Sequence, residues 1–186
     1  MNKLLLGTLL SSFAVMAQPN TVDKVDLERY LGKWFEIAHV PNKFQDNTSN
    51  KLGPCKDTVA EYSQDKNHIL VTNTCRRLSS DGSEKIEVAH AIARVVEGSG
   101  NAKLKVNFTG IALLRWLGIG DGDYWVLALG PVSKRDGLYS WALVGGHDTK
   151  YGWILARDAQ LGKPEMEHIL GLAEKLGYLR TQFIFK

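Results

Sequence analysis

The sequence predicts an all-β domain, an eight-stranded up-and-down antiparallel barrel with one α-helix packed outside it. Three observations carry this. Between residues 33 and 157 the chain divides into eight short β-type runs separated by polar or Gly-rich turns of hairpin length. A helical pattern longer than one turn appears only after the last run, at "KPEMEHILGLAEKLG". A sheet of consecutive antiparallel strands that closes on itself also removes the exposed edges that invite aggregation. A two-sheet sandwich satisfies the same periodicity, and periodicity alone does not separate the two.

Taken in order, the first stretch is "MNKLLLGTLLSSFAVMAQPN": one Lys, an apolar run from Leu4 to about Val15, then small residues before Gln18. It reads as a signal peptide over 1–17, cleaved after Ala17, and leaves 18–186 as a single domain. The run is shorter than the roughly 20 residues a bilayer span needs. Gln18 stands where bacterial lipoprotein acylation requires a Cys. The expectation is an exported protein, periplasmic or secreted, at most peripheral to the outer membrane and not lipid-anchored.

"VDLERYLG" then reads as a helical turn ending at Gly32. The β-type runs follow at 33–39, 57–64, 68–76, 85–96, 103–109, 123–129, 139–145 and 151–157. Between Cys55 and Cys75, two β-rich segments flank the turn Gln64-Asp65-Lys66-Asn67, a hairpin that places the cysteines within a residue of alignment. Export favours a disulfide between them, worth about 3 kcal/mol on the chain-entropy model. Two buried thiols or one metal-ligand pair are the alternatives. In the helical stretch, Pro164 lies in the first turn, Glu165 and Glu167 face the positive end of the dipole, and Gly177 is the stop. Met166, Ile169, Leu170, Ala173 and Leu176 form one apolar stripe. "TQFIFK" supplies a last edge strand.

Composition excludes several classes. With 186 residues the chain has room for one sizeable core. Its 23 Lys and Arg against 20 Asp and Glu, a formal +3, lack the basic excess of a nucleic-acid binder. His39, His68, His90, His147 and His168 are scattered, with no HExxH and no Gly-x-Ser-x-Gly, so neither a metal site, a cofactor nor a catalytic set is expected. Gly118-x-Gly120-x-Gly122 precedes a strand rather than a helix, which makes it a poor phosphate cradle.

Gly32-Lys33-Trp34 at the start of the first strand, eight strands, Arg157 closing the last in "WILAR", and then a helix together resemble a lipocalin. "YLGKWFEIAHVPNKFQ", "LKVNFTG", "GDYWVLALG" and "YGWILARD" are similar to the bacterial outer-membrane lipocalin and apolipoprotein D branch. The Thr-Asp-Tyr type motif between the sixth and seventh strands is not recognisable in "LGPVSKRDGLYSW", which puts receptor contacts through that loop in doubt. The resemblance implies a calyx with Trp34 plugging its closed end and Arg157 stacked across that ring, both structural.

It also implies which residues face the cavity, because side chains alternate across a barrel wall. Trp34 taken as inward assigns Glu36 and Ala38 to the first strand's inner face. The family pattern adds Ala60, Tyr62, Ala89, Ala91, Ala93, Leu104, Val106, Phe108, Tyr124, Val126, Ala128, Ala142, Val144, Tyr151, Trp153 and Leu155. Small residues on one wall facing aromatics suit an elongated apolar ligand. Glu36 needs a partner: a buried Arg, a ligand head group, or a slip in parity. In the loop 110–123, Leu113, Leu114, Arg115, Trp116 and Leu117 read either as a transient membrane contact or as a lid.

The expected function is transport of a small hydrophobic ligand, a fatty acid, lysophospholipid or similar lipid, by a protein that is not an enzyme and needs no cofactor. A lipocalin-fold enzyme or haem carrier is the alternative.

Overall fold

A barrel closes when its first strand finds two partners, and here β1 does. The structure is a computed structural model and describes residues 19–46, 52–110 and 118–186; the predicted signal peptide and Leu113, Leu114, Arg115, Trp116 and Leu117 lie outside them. The elements are α1 (Leu27–Tyr30), β1 (Gly32–His39), α2 (Lys43–Asp46), β2 (Lys56–Asp65), β3 (His68–Leu78), β4 (Glu84–Val95), β5 (Lys103–Asn107), β6 (Asp121–Leu129), β7 (Trp141–Gly145), β8 (Gly152–Ala156), α3 (Lys163–Lys175), a 3-10 turn (Arg180–Gln182) and β9 (Ile184–Phe185). Strands β2 to β8 pair with their neighbours in order, β8 pairs with β1, and β1 pairs back onto β2. The result is the antiparallel closed barrel the sequence predicts, with α3 outside it.

Local chemistry sets the boundaries. β5 stops at Asn107, short of the expected 109, because the Asn107 side-chain oxygen accepts from the Thr109 amide at 2.8 Å and curls the chain off the ladder. Gly177 takes φ +92°, a left-handed value that glycine tolerates, and ends the helical segment. β1 pairs with β2 only from Gly32 to Phe35. Beyond that point β9 takes the vacated edge, with Ala38 opposite Phe185 and His39 opposite Ile184.

The pleat sorts the apolar residues into two cores. Inside the barrel, Trp34, Tyr62, Ile69, Val71, Ala93, Leu104, Val126, Val144 and Leu155 pack with Tyr30 and Val25 from the N-terminal segment. Outside it, Trp125, Leu127, Trp141, Leu143, Ile154 and Ala156 receive Ile169, Leu170 and Ala173 of α3, with Met166 and Leu176 at the margin. Two β-bulges interrupt this sorting, between Glu36 and Ala38 in β1 and between Val126 and Ala128 in β6. Each adds one residue and reverses the faces beyond it. Ala38 and Ala128, expected to face the cavity, therefore belong to the outer core.

Cys55 and Cys75 form the disulfide, with Cα atoms 5.4 Å apart. Their alignment is less direct than expected. Lys56 lies opposite Arg76, so Cys55 meets Cys75 diagonally, and an irregularity between Lys56 and Val59, where Asp57 takes φ +50°, accommodates the offset.

The closed end is held by Trp34 and Arg157. Trp34 is fully buried and its indole N–H donates to the Tyr30 carbonyl at 2.8 Å. The Arg157 guanidinium lies 3.7 Å from the Trp34 ring centroid. It also donates to the carbonyls of Arg29, Tyr30, Leu31, Lys33 and Tyr139. Gly32, at φ +92°, makes the turn that lets α1 fold beneath the indole. Arg157→Ala removes the stacking and leaves several carbonyls without their donor. It should lower stability by about 1 to 3 kcal/mol in urea unfolding while ligand affinity changes little. Unchanged unfolding with collapsed affinity would make Arg157 a binding residue instead.

Candidate functional site: the calyx and its mouth

Because the strands alternate in direction, the turns at 66–67, 96–102 and 130–140 lie at the Trp34 end, and 40–46, 52–55, 79–83, 108–110, 118–120 and 146–151 lie at the other. The N-terminal segment covers the first end, where the Val25 amide donates to the Gly100 carbonyl at 2.8 Å and the Tyr139 amide to the Arg29 carbonyl at 3.2 Å.

The lower half of the bore is full. Tyr30, Tyr62 and Tyr124 meet in its centre, with Tyr30 and Tyr124 oxygens 2.6 Å apart and Tyr62 donating to Tyr124 at 3.0 Å. Burial pushes all three phenols up, Tyr62 to about 12. Among Ala93, Leu104, Val106 and Val126 beside them, about 10 Å³ is left, room for about one water. These four expected cavity residues thus form the packed base.

Above the phenols the bore opens. Ala60, Asn73 and Ala89 form one row across β2, β3 and β4, and Tyr62, Val71 and Ala91 the row below. Ala142, Val144, Leu155 and Trp153 pack from β7 and β8 on the same inner core. Ala91 is buried, but Ala89 points inward and is nonetheless exposed, so the upper bore communicates with solvent. Phe108 and Tyr151, also expected inside, stand at the rim, 53% and 40% exposed. The inner face of β3 escaped the sequence reading: Ile69, Val71, Asn73, Cys75 and Arg77 alternate inward, but in the sequence Leu70 between two apolar residues and the polar run Thr72-Asn73-Thr74 blur the period-two signal.

The mouth is partly roofed by α2. Phe44 approaches Tyr151 at 6.3 Å between ring centroids, and Tyr151 stacks on Trp153 at 6.1 Å. Arg77 reaches up from β3, donating to the carbonyls of Phe44, Gln45 and Gly53 and pairing with Glu87 at 2.6 Å. Glu87 is held below the ordinary carboxylate range by that guanidinium. Gln45 accepts from the Trp153 indole N–H at 2.9 Å and donates to Glu36.

Glu36 is inward, and its partners are His39 and Lys186 rather than an arginine. Its Oε1 lies 2.9 Å from His39 Nδ1 and 3.3 Å from Lys186 Nζ. His39 Nε2 contacts both oxygens of Asp46 on α2, at 3.0 and 3.1 Å. Burial alone lowers the imidazole's affinity for a proton, but the two carboxylates outweigh both burial and the opposing Lys186, and His39 is raised. With His39 charged, two cations balance two carboxylates.

A raised folded-state value means His39 contributes stability that is fully present below the ordinary imidazole value of about 6.5 and lost as pH rises through the raised one. The urea midpoint should decline across that window, and His39→Gln should flatten the decline. A wild-type midpoint that is level there would show that the charge on His39 does not hold the roof.

Comparison with known proteins agrees with this geometry. A family model described as a Lipocalin-like domain matches residues 25–186. Temperature-induced lipocalin-1 of Arabidopsis thaliana is 30% identical over 84% of this chain and 76% of its own. The outer membrane lipoprotein Blc of Vibrio cholerae is 29% identical over 91% and 88% respectively. Among solved structures, a lobster apocrustacyanin superposes with a TM-score of 0.58 at 14% identity, covering 94% of this chain and 92% of that one, a likeness of fold.

Proposed function

The chain belongs to the lipocalin family, and we propose that it carries a single-chain amphiphile, a fatty acid or lysophospholipid, with the tail in the upper calyx and the head at the mouth. One observation carries the reading: Ala89 faces inward yet is exposed, directly above buried Ala91, so among the described residues no side chain covers the wall of β4 there. An apolar bore of that kind gains about 0.8 kcal/mol for each methylene it buries.

The lipocalin-fold enzyme and haem-carrier readings find no support in the site. Both cysteines are spent in the disulfide, so no thiolate nucleophile exists. His39 is the histidine on the inner face, and both its ring nitrogens are engaged by carboxylates. His90 lies on the outer face of β4, its Nδ1 3.2 Å from the Thr72 hydroxyl.

The disulfide supports export to an oxidising compartment, and we infer a mature chain of 18–186 that is periplasmic or secreted. Phe44 is 74% exposed and Ile119 53%, and with Phe108 they set apolar side chains around the mouth. That rim supports transient contact between the mouth and a lipid surface.

Ala89→Trp places an indole in the open bore. It should weaken binding of a long-chain fatty acid at least about tenfold, or about 1.4 kcal/mol, in a displacement titration, with the circular dichroism of the fold unchanged. A folded variant that binds as tightly as the parent removes the ligand from this site, and a parent that binds no such amphiphile ends the carrier reading.

A further inference from the structure

The phenols beneath the open calyx hold more hydrogen than they spend. Tyr62 donates to Tyr124, and either Tyr124 or Tyr30 donates to the other. Among the described residues the three hydroxyls make no further hydrogen bond. Three O–H groups therefore make two bonds, whichever way the hydroxyls rotate, and one donor remains over. The Tyr62 oxygen, donating only, keeps its own lone pairs free. A buried donor without an acceptor is costly, and supplying the acceptor removes that cost.

A second observation concerns access. Tyr30 and Tyr62 are buried, but Tyr124 retains part of its accessible surface. Directly toward the mouth on the same face of β6 stands Gly122, opposite Val106. A Cβ there would meet nothing nearer than the Val106 carbonyl oxygen at 3.7 Å, an ordinary contact, and the backbone is not left-handed. Neither sterics nor conformation demands glycine at 122. Its missing side chain leaves the face of β6 directly above Tyr124 bare, on the side toward the mouth.

We propose that the ligand's buried tip carries a hydroxyl or carbonyl oxygen, which accepts the spare hydrogen of the Tyr30–Tyr62–Tyr124 cluster. This rests on the carrier reading above and specifies the chemistry of the end opposite the head group. A methyl tip fills the same space and leaves the donor unmet. A hydroxyl tip can in addition donate to the Tyr62 oxygen.

Lauric acid and ω-hydroxylauric acid, competed against a fluorescent fatty acid on the full protein, test it. In a purely apolar bore, burying the added hydroxyl costs about tenfold in affinity or more. With the phenols present, the two acids should bind within about threefold of each other. Replacing all three tyrosines by phenylalanine keeps the rings and removes every donor, and should then penalise the hydroxy acid at least about tenfold relative to lauric acid. Tyr124→Phe alone releases the hydrogens of Tyr62 and Tyr30, and should keep the hydroxy acid competitive. The proposal is overturned if the parent already rejects the hydroxy acid tenfold or more, or if the triple variant leaves the ratio unchanged. The parent's ratio decides the matter even if the triple variant does not fold. A parent that binds neither acid sinks the carrier reading itself, a result distinct from binding lauric acid alone.

Discussion

Arg157 is the residue through which the ends of the barrel's strand sequence meet. Its guanidinium covers Trp34 from β1 and binds carbonyls of α1 and of the β6–β7 turn, while its own backbone continues β8. A closed sheet must join its last strand to its first, and here that joint is made by a planar cation with five donors held against an indole. Burial disfavours the charge, and Arg157 is lowered accordingly; the ring and the carbonyls are what make the position tolerable. The consequence is a floor covered by the N-terminal segment, which leaves the α2 end as the mouth.

The alternation of side chains across the wall does the rest of the sorting, and it is the part of the fold most readable from the amino-acid order. The strands, α3 and even the short β9 follow from period two, period 3.6 and turn chemistry. Ala38 and Ala128 were misplaced for one shared reason. A bulge inserts a residue into one strand without changing its composition, and neither "FEIAH" nor "WVLAL" carries a Gly or Pro that marks the slip. The family resemblance carried over an inward parity for β6 that holds only as far as Val126.

The polar interior was less legible, because its partners are distant in sequence. Glu36 announced a need for a counter-charge, but His39 is three residues away on the far side of a bulge, and Lys186 arrives only because β9 docks on β1. The tyrosine cluster draws on α1, β2 and β6. Nothing in the local pattern of any one of these segments distinguishes a tyrosine packed for its ring from one placed for its hydroxyl. Arg77, one residue past the run expected at 68–76, is the tie between β3 and the roof.

These polar groups divide the bore into zones of different character. At the top, Glu36, His39, Asp46, Gln45 and Lys186 hold the roof together through ion pairs and the Gln45 amide, although Glu36 Oε1 and His39 Nδ1, buried and 2.9 Å apart, make no hydrogen bond among the described residues. In the middle, Ala60, Ala89 and Ala91 present small apolar side chains, with Asn73 the polar residue of their rows. At the bottom, the phenols carry unspent hydrogen-bonding capacity beside a void of about 10 Å³. The donor left over among the phenols lies at the base of the calyx, apart from the charged groups of the roof. For the ligand proposed above, affinity would come from the apolar middle and discrimination from the floor, because a buried donor left unmet costs more than a contact of ordinary packing contributes.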